Sequence, residues 1–402
     1  MTQALDVERL PARVSRGELE RRWRAARAQM LDQGIDALVM QNANDWLGGP
    51  VKYFTNVPAC NGYPRTVIFP LEGAMTIVEN GPFDGRRRLD GDDATHPGVG
   101  EILHSPSFLS IGYTHGYDAA IIGRELARQG LRKVGIVGAG GLPHGFVARV
   151  RDDLAARGGE ARDASELVDR LKAIKSEEER ALIRQTAALQ DSVFSAVLAN
   201  IRPGMRDVDV TALAWREGQV LGSEQGIVLG GSAPLGRASV FVGRHLQGRR
   251  LAAGDHLALL IEINGPGGFY TEMARTIVLG RAPTELRDGF ESMREAQQAT
   301  LRRLVPGASC AEIATAHDDF MRARKLPPEL RLYAHGQGYD MVERPLVRCD
   351  EAMKIQSGMC LAVHPGFESP SQFAVICDNY LVEDGGVGAC LHKTEKRVFE
   401  VG

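Results

Sequence analysis

Apolar residues recur at two different periods along the first third of the chain. Between Ser15 and Gln33, Leu19, Trp23, Ala26 and Met30 fall three or four residues apart, the spacing of one helical face. Gly34 interrupts the pattern, and the largely apolar run Ile35-Asp36-Ala37-Leu38-Val39-Met40 predicts a first strand. Further strands are predicted at 66–69, 75–78 and 133–137, where apolar and β-branched residues cluster, and a second helix over 117–129. Helices alternating with strands over about 150 residues predict an α/β domain with a layered sheet. The glycine run Gly138-Ala139-Gly140-Gly141 follows one strand, but Pro143 comes at once and no βαβ unit with a ribose-binding acid surrounds it, which argues against a nucleotide loop. Tyr53-Phe54-Thr55 and Asn61-Gly62-Tyr63-Pro64-Arg65 read as loops carrying aromatic and cationic groups.

A Gly158-Gly159 turn precedes a change of pattern near residue 165, which divides the chain into an N-terminal domain, 1–165, and a C-terminal domain, 166–402. A helical period runs over 167–174. Ser176 with Glu179 three residues on forms a capping box that opens a second helix, which ends at Arg202-Pro203-Gly204. Leu304-Val305-Pro306-Gly307 repeats that ending about a hundred residues later, again after a long helix and before glycine-rich, strand-like sequence. Two similar α/β halves meeting at a site are the expectation.

The stretch 254–280 reads as a hairpin: an apolar run over 257–263, the turn Asn264-Gly265-Pro266-Gly267-Gly268, and a second run over 269–279. Glu262 and Glu272 flank the turn, and folding it back brings them level on neighbouring strands, about 5 Å apart. Like charges so placed among apolar residues need a cation, a proton or basic partners. The hairpin is therefore a candidate metal or acid/base site.

Composition narrows the classes. With 402 residues and 44% hydrophobic content the chain can bury a large core, and a net charge of -3 leaves no basic excess for nucleic acid or a membrane surface. No apolar stretch approaches the roughly 20 residues of a membrane span, and residues 1–27 are charged, without a secretory apolar segment. Six scattered cysteines without a Cys-x-x-Cys pair point to reduced thiols and a cytoplasmic location.

Several spaced motifs carry a resemblance across nearly the whole chain. They are Lys172-Ala173-Ile174-Lys175-Ser176-Glu177-Glu178-Glu179, Gly254-Asp255 before the hairpin, Arg275-Thr276 after Glu272, His335-Gly336-Gln337-Gly338 with Glu343-Arg344-Pro345 downstream, Gly358-Met359 before His364-Pro365-Gly366, and Asp378-Asn379-Tyr380-Leu381-Val382-Glu383-Asp384-Gly385. Together they resemble the pita-bread superfamily of creatinase, Xaa-Pro aminopeptidase and prolidase, peptidase family M24. The resemblance implies an N-terminal creatinase-type α/β domain and a C-terminal pita-bread α/β domain with pseudo-two-fold halves.

In the metal-dependent members two aspartates, a histidine and two glutamates surround the metals. The positions that fall there read Glu262, Glu272, His335, His364 and Cys377. The hairpin acids stand one residue closer than the peptidases' aspartates, and with the Asn-Gly-Pro turn this resembles a non-peptidase branch that includes a dimethylsulfoniopropionate lyase. A second imidazole of the peptidases falls on Val342, and their substrate-binding histidine falls about Ala238 to Val240, with His245 the nearest imidazole. Losing those donors argues against ordinary peptide cleavage.

The remaining groups suit zinc or iron. The alternative, which resembles creatinase, is metal-free catalysis in which a glutamate and a histidine shuttle protons; Glu262, Glu272, His335, Asp340 and Glu343 are the catalytic candidates. His317 reads as ordinary packing. The expected activity is hydrolysis of a C–N bond in a small polar metabolite. A lyase breaking a C–S or similar bond by β-elimination is the alternative, and a non-catalytic pita-bread binding protein the third. The resemblance also implies a homodimer in which Tyr63, Pro64 and Arg65 reach the partner's pocket, where an arginine suits a carboxylate on the small-molecule substrate.

Overall fold

A computed structural model describes residues 13–42, 49–57, 62–91 and 93–402. Asn61 of the expected Asn-Gly-Tyr-Pro-Arg loop and Cys60 lie outside them. The chain divides into two compact units, Val14–Lys172 and Ala173–Gly402. The division falls at the end of the helix Ser165–Ala173, whose head is where the composition changes.

The first unit is built on a seven-stranded mixed sheet. The strand Ala37–Asn42 pairs antiparallel with the central strand, Arg65–Pro70, and parallel with Lys133–Ile136. The helices Arg16–Asp32 and His115–Arg128 fall where the apolar spacing predicts them, and Ser15 caps the first by accepting from the Glu18 N–H. Val39, Ile68, Val78, Ile122, Val134 and Phe146 share one core. Tyr53-Phe54-Thr55 departs from its expectation as a loop: it ends the helix Gly49–Thr55 and is buried. Tertiary contacts override the local signal there, because Arg22 donates to the Tyr53 carbonyl, Trp23 to the Phe54 carbonyl, and the Phe54 and Phe69 rings lie 4.7 Å apart. The glycine run after Ile136 is a short turn whose Gly138 N–H already donates to Ser165 Oγ at 2.8 Å.

The second unit contains the duplication. The capping box at Ser176 is formed and opens the helix Glu177–Asn200, which is followed by Asp207–Leu221; Thr284–Leu301 and Cys310–Ala323 form the second such pair. The turns between partners share a glycine conformation and a backbone hydrogen bond. Gly204 and Gly307 both take a left-handed φ, +93° and +91°, open to glycine without steric cost. The Gly204 N–H donates to Leu251 O and the Gly307 N–H to Ile355 O, each at 2.8 Å. The faint repeat in sequence is thus a repeat in hydrogen bonding.

Each half supplies a sheet. The first runs Phe399–Val401, Tyr270–Leu279, Asp255–Asn264 and Gly226–Pro234. The second runs Glu343–Leu346, Ala334–Gly336, Cys360–Val363, Asp378–Glu383 and Gly386–Cys390. Ala274 and Cys377 bridge the two, exchanging backbone hydrogen bonds of 3.3 and 3.4 Å. Every residue of the two hairpin strands is buried, which explains their near-continuous apolar character.

Candidate active site

The hairpin register decides what its two acids can do. Gly267 and Gly268 take left-handed φ angles of +73° and +87°, which lets the chain reverse between Asn264 and Tyr270. From that pair inward, residues meet one to one, and Glu262 lies directly opposite Glu272. Both side chains point to the same face of the sheet, and both residues are buried.

The second sheet brings its groups to the same place. His335 sits on the strand Ala334–Gly336, paired with Ala362, and His364 follows the neighbouring strand Cys360–Val363. His335 Nε2 lies 3.9 Å and His364 Nε2 3.5 Å from Glu272 Oε1, and the two rings meet edge to face at 5.1 Å. Nδ1 of His335 meets the Gly336 carbonyl at 2.9 Å, which fixes the ring with Nε2 turned toward Glu272. The Cys377 thiol donates to Glu272 Oε1 at 2.9 Å. The structure therefore gathers Glu262, Glu272, His335, His364 and Cys377 into one cluster, with Glu272 at its hub. His364, with 15% of its side chain exposed, is its most open member.

Burial separates the protonation of the two acids. Desolvation, and then the facing charge of Glu272, push Glu262 well above the usual carboxylate range. Burial also raises Glu272, but the charges of His364 and His335 and the Cys377 hydrogen bond outweigh it and hold that carboxyl below its ordinary value. Glu262 therefore keeps a proton and shares it with an ionised Glu272. Burial drives the His364 imidazole down to about 4. Desolvation, then the Glu272 charge, pushes the Cys377 thiol far up.

Two residues that the motifs contain but to which no role attaches complete the cluster. Gln337 Nε2 donates to Glu262 Oε1 at 2.9 Å, and Asn379 Nδ2 donates to Gln337 Oε1 at 2.7 Å. Asn379 Oδ1 accepts the Glu272 backbone N–H at 2.6 Å, tying both acids to one amide chain. Gln337 lies inside His-Gly-x-Gly and Asn379 follows Asp378, so their place in those motifs was the available signal.

Other candidates are placed elsewhere. Glu343, within reach of His335 by sequence, forms a buried ion pair with Lys175 Nζ at 2.7 Å. Asp340 lies beside that pair, its backbone N–H donating to Glu343 Oε1 at 3.2 Å. Neither was brought to the histidines, because Lys175, 168 positions away, captures the glutamate. Val342 and His245 are exposed. In the N-terminal unit, Tyr63 is exposed and Arg65 pairs with Glu79 of its own chain at 2.9 Å.

The donor set fits one metal ion better than two. Glu272, His335 and His364 each offer an atom within 4.8 Å of the others, and two imidazoles with one carboxylate suit zinc or ferrous iron. Glu262 and Cys377, expected as further ligands, stand outside that group, one hydrogen-bonded to Gln337 and Glu272 and the other donating its thiol proton to Glu272. A second trio, Asp378, Cys390 and His392, is equally close. Its carboxylate is already met by Arg275 at 2.6 Å and Lys396 at 3.5 Å, which leaves no charge for a cation.

Comparisons with known proteins agree with this architecture. Residues 181–384 match the model of metallopeptidase family M24. A probable dipeptidase PepE of Mycobacterium bovis is 26% identical over 241 residues, 57% of this chain. The match spans 62% of that relative, less than two thirds of its length. A Xaa-Pro dipeptidase of Pyrococcus horikoshii is 24% identical over 68% of this chain and 76% of its own. In solved structures, the dipeptidase PepE of Mycobacterium ulcerans superposes with a TM-score of 0.75 at 19% identity, covering 97% of this chain and 99% of that one. The last likeness is one of fold.

Proposed function

The chain belongs to metallopeptidase family M24, and from that premise we propose that it is a hydrolase cleaving the C–N bond of a small substrate, with Glu272, His335 and His364 at the reacting centre. The observation that carries the reading is the place of the Glu272 carboxylate. It is in contact with two imidazoles and a thiol near the turn of a buried hairpin, with a protonated partner acid behind it.

A water seated beside Glu272 and the imidazoles gives up its proton to Glu272 as its oxygen attacks the carbonyl carbon, and the same proton then passes to the leaving nitrogen. Gln337 and Asn379 keep the acids in place through the step. In the alternative with a divalent ion held by Glu272, His335 and His364, the ion would supply Lewis acidity and a lowered water pKa in place of proton removal by a free Glu272.

The substrate class follows from what surrounds the centre. Residues at 238–240 and 342 bring no imidazole, which supports a small metabolite amide over a general peptide, although the relatives named above are called dipeptidases. The reading includes a cytoplasmic homodimer, which sedimentation would test.

The experiment is turnover of dipeptides and small N-acyl amines in 18O-labelled water, beside elemental analysis of protein purified without added metal. Label in the acid product and loss of turnover in Glu272→Gln are expected, with one zinc or iron per chain. Product without label would replace hydrolysis by elimination. Ligand-induced stabilisation without turnover would replace both by a binding role.

A further inference from the structure

The two acids stand on one face of their sheet, and the strand pairing fixes what shares that face with them. Ile227 lies opposite Glu262, which lies opposite Glu272; one row on, Leu229 lies opposite Leu260, and Leu260 opposite Ala274. Paired residues point the same way and the side chains alternate along each strand, so both rows belong to the face of the acids. The reverse face is the core: Val228, Ile261 and Met273 pack with Val193 and Val210 of the helices Glu177–Asn200 and Asp207–Leu221. Leu229, Leu260 and Ala274 instead form a separate apolar cluster with Phe373 and Cys377 of the second half.

A loop completes that wall. The Val242 N–H donates to the Gly230 carbonyl at 3.3 Å, and a Cβ at Gly231 would meet the Val240 carbonyl oxygen at 1.7 Å. Any side chain at Gly231 would therefore lift the loop from the strand. Val240 and Phe241 join the apolar cluster, and the Phe241 ring meets Phe373 edge to face at 5.1 Å. These positions adjoin the place where the resemblance puts the peptidases' substrate-binding histidine, so hydrocarbon stands at the edge of the centre where an imidazole is expected. Ile227, Leu229, Val240 and Phe241 are partly exposed, as is His364. Apolar side chains left partly open beside a few converging polar groups have the composition of a small-molecule site.

We propose that this wall is a hydrocarbon subsite and that the substrate is an amide with an aliphatic or aromatic acyl group, which lies on Leu229, Leu260, Val240 and Phe241 while the scissile carbonyl meets Glu272 and His364. The proposal rests on the hydrolase reading above and narrows its substrate class. The acyl side is assigned because the leaving nitrogen takes its proton beside an ionised carboxylate, at the polar end of the site, which leaves the carbon wall to the other flank. A charged acyl group would lie against carbon without a partner and is rejected.

The test uses the full chain and reads binding apart from turnover. Acetamide, hexanamide, N-hexylacetamide and succinamate are titrated into Glu272→Gln, where the amide survives, while the methyl signals of Ile227, Leu229 and Leu260 are followed by NMR; release of ammonia or amine is measured with the unaltered chain. A fully buried methylene is worth roughly fourfold in affinity, and a wall on one side gives about half of that free energy, so hexanamide should bind roughly 10–20-fold tighter than acetamide and move those signals. Succinamate should bind no better than acetamide. Phe241→Ser and, as a second variant of the same wall, Val240→Ser should each remove most of the preference for hexanamide and leave acetamide unchanged, with thermal melts to show that they fold. Equal binding of hexanamide and acetamide, methyl signals that stay still, a preference intact in both variants, or N-hexylacetamide bound as tightly as hexanamide would overturn the proposal. The expected preference without release of ammonia would uphold the subsite and remove the hydrolase reading; turnover of all four amides at equal efficiency would uphold that reading and remove the subsite.

Discussion

Replacing Asp378 by asparagine tests how the site is held. The carboxylate is fully buried and accepts from Arg275 at 2.6 Å and from Gln297 at 3.2 Å, while the guanidinium also donates to the carbonyls of Ala274, Cys377, Thr394 and Glu395. Arg275 therefore ties the hairpin strand of Glu272 to the strand of Cys377 and Asn379. Burial alone would raise the Asp378 pKa, but Arg275, Lys396 and His392 hold it below the ordinary aspartate value. Asp378→Asn preserves shape and leaves the arginine charge without its closest counter-charge in a fully buried place, a change that costs about 3–5 kcal/mol. Lys396 is partly exposed and can turn to solvent, so the lower end, about 3 kcal/mol, is expected. For a unit of this size that corresponds to a fall in Tm of roughly 6–12 °C, measured together with the urea midpoint. The double variant Arg275→Met/Asp378→Leu removes both charges and should recover most of the loss. A loss below about 1 kcal/mol in Asp378→Asn, or a double variant as unstable as the two single changes summed, would refute the reasoning.

Acid should destabilise the protein partly through His317. Burial lowers its pKa from 6.5 to about 4, so the unfolded chain binds a proton that the folded chain refuses. Its contribution is intact above pH 6.5 and is lost as pH falls toward 4, about 3 kcal/mol in all; His317→Phe should flatten that part of the stability–pH curve, and an unchanged slope would contradict it. Among the described cysteines, exposed Cys349 should be alkylated first in the native protein. Cys310, Cys360 and Cys377 are buried with thiols pushed upward, and mass spectrometry should find them modified only on unfolding. Glu262→Gln should keep the fold and the Gln337 contact region, since the acid is protonated there already, whereas Glu272→Gln should abolish turnover; equal activity losses in the two variants would count against the division of roles.

How much of this was legible beforehand differs by element. The two apolar runs and their Gly/Pro turn were legible as a hairpin carrying both acids, but the register was not: the turn closes on Asn264 and Tyr270, one residue later than the 264–268 segment implies, and that sets Glu262 opposite Glu272. The paired Pro-Gly turns were legible too, because the left-handed φ at Gly204 and Gly307 leaves a glycine in the text of both halves. The helix at Tyr53 was not, since seven residues make little helical period and tertiary contacts with Arg22, Trp23 and Phe69 hold it. The partners of Glu343 and Asp378 were equally hidden. Lys175 and Arg275 lie 168 and 103 positions away, and many arginines and lysines compete on paper for each acid.

The sequence by itself determined the α/β character, the duplicated second half, the hairpin with its two acids and the motifs that deliver two histidines. Those are properties of spacing, and spacing is local. Only the tertiary structure decided that Cys377 donates a proton to Glu272, that Gln337 and Asn379 steady the acids, that Glu343 belongs to Lys175, and that His317 is buried. Each depends on which distant side chain comes within about 3 Å in a medium of low dielectric, where a bonded partner and an absent one differ by more than any local propensity.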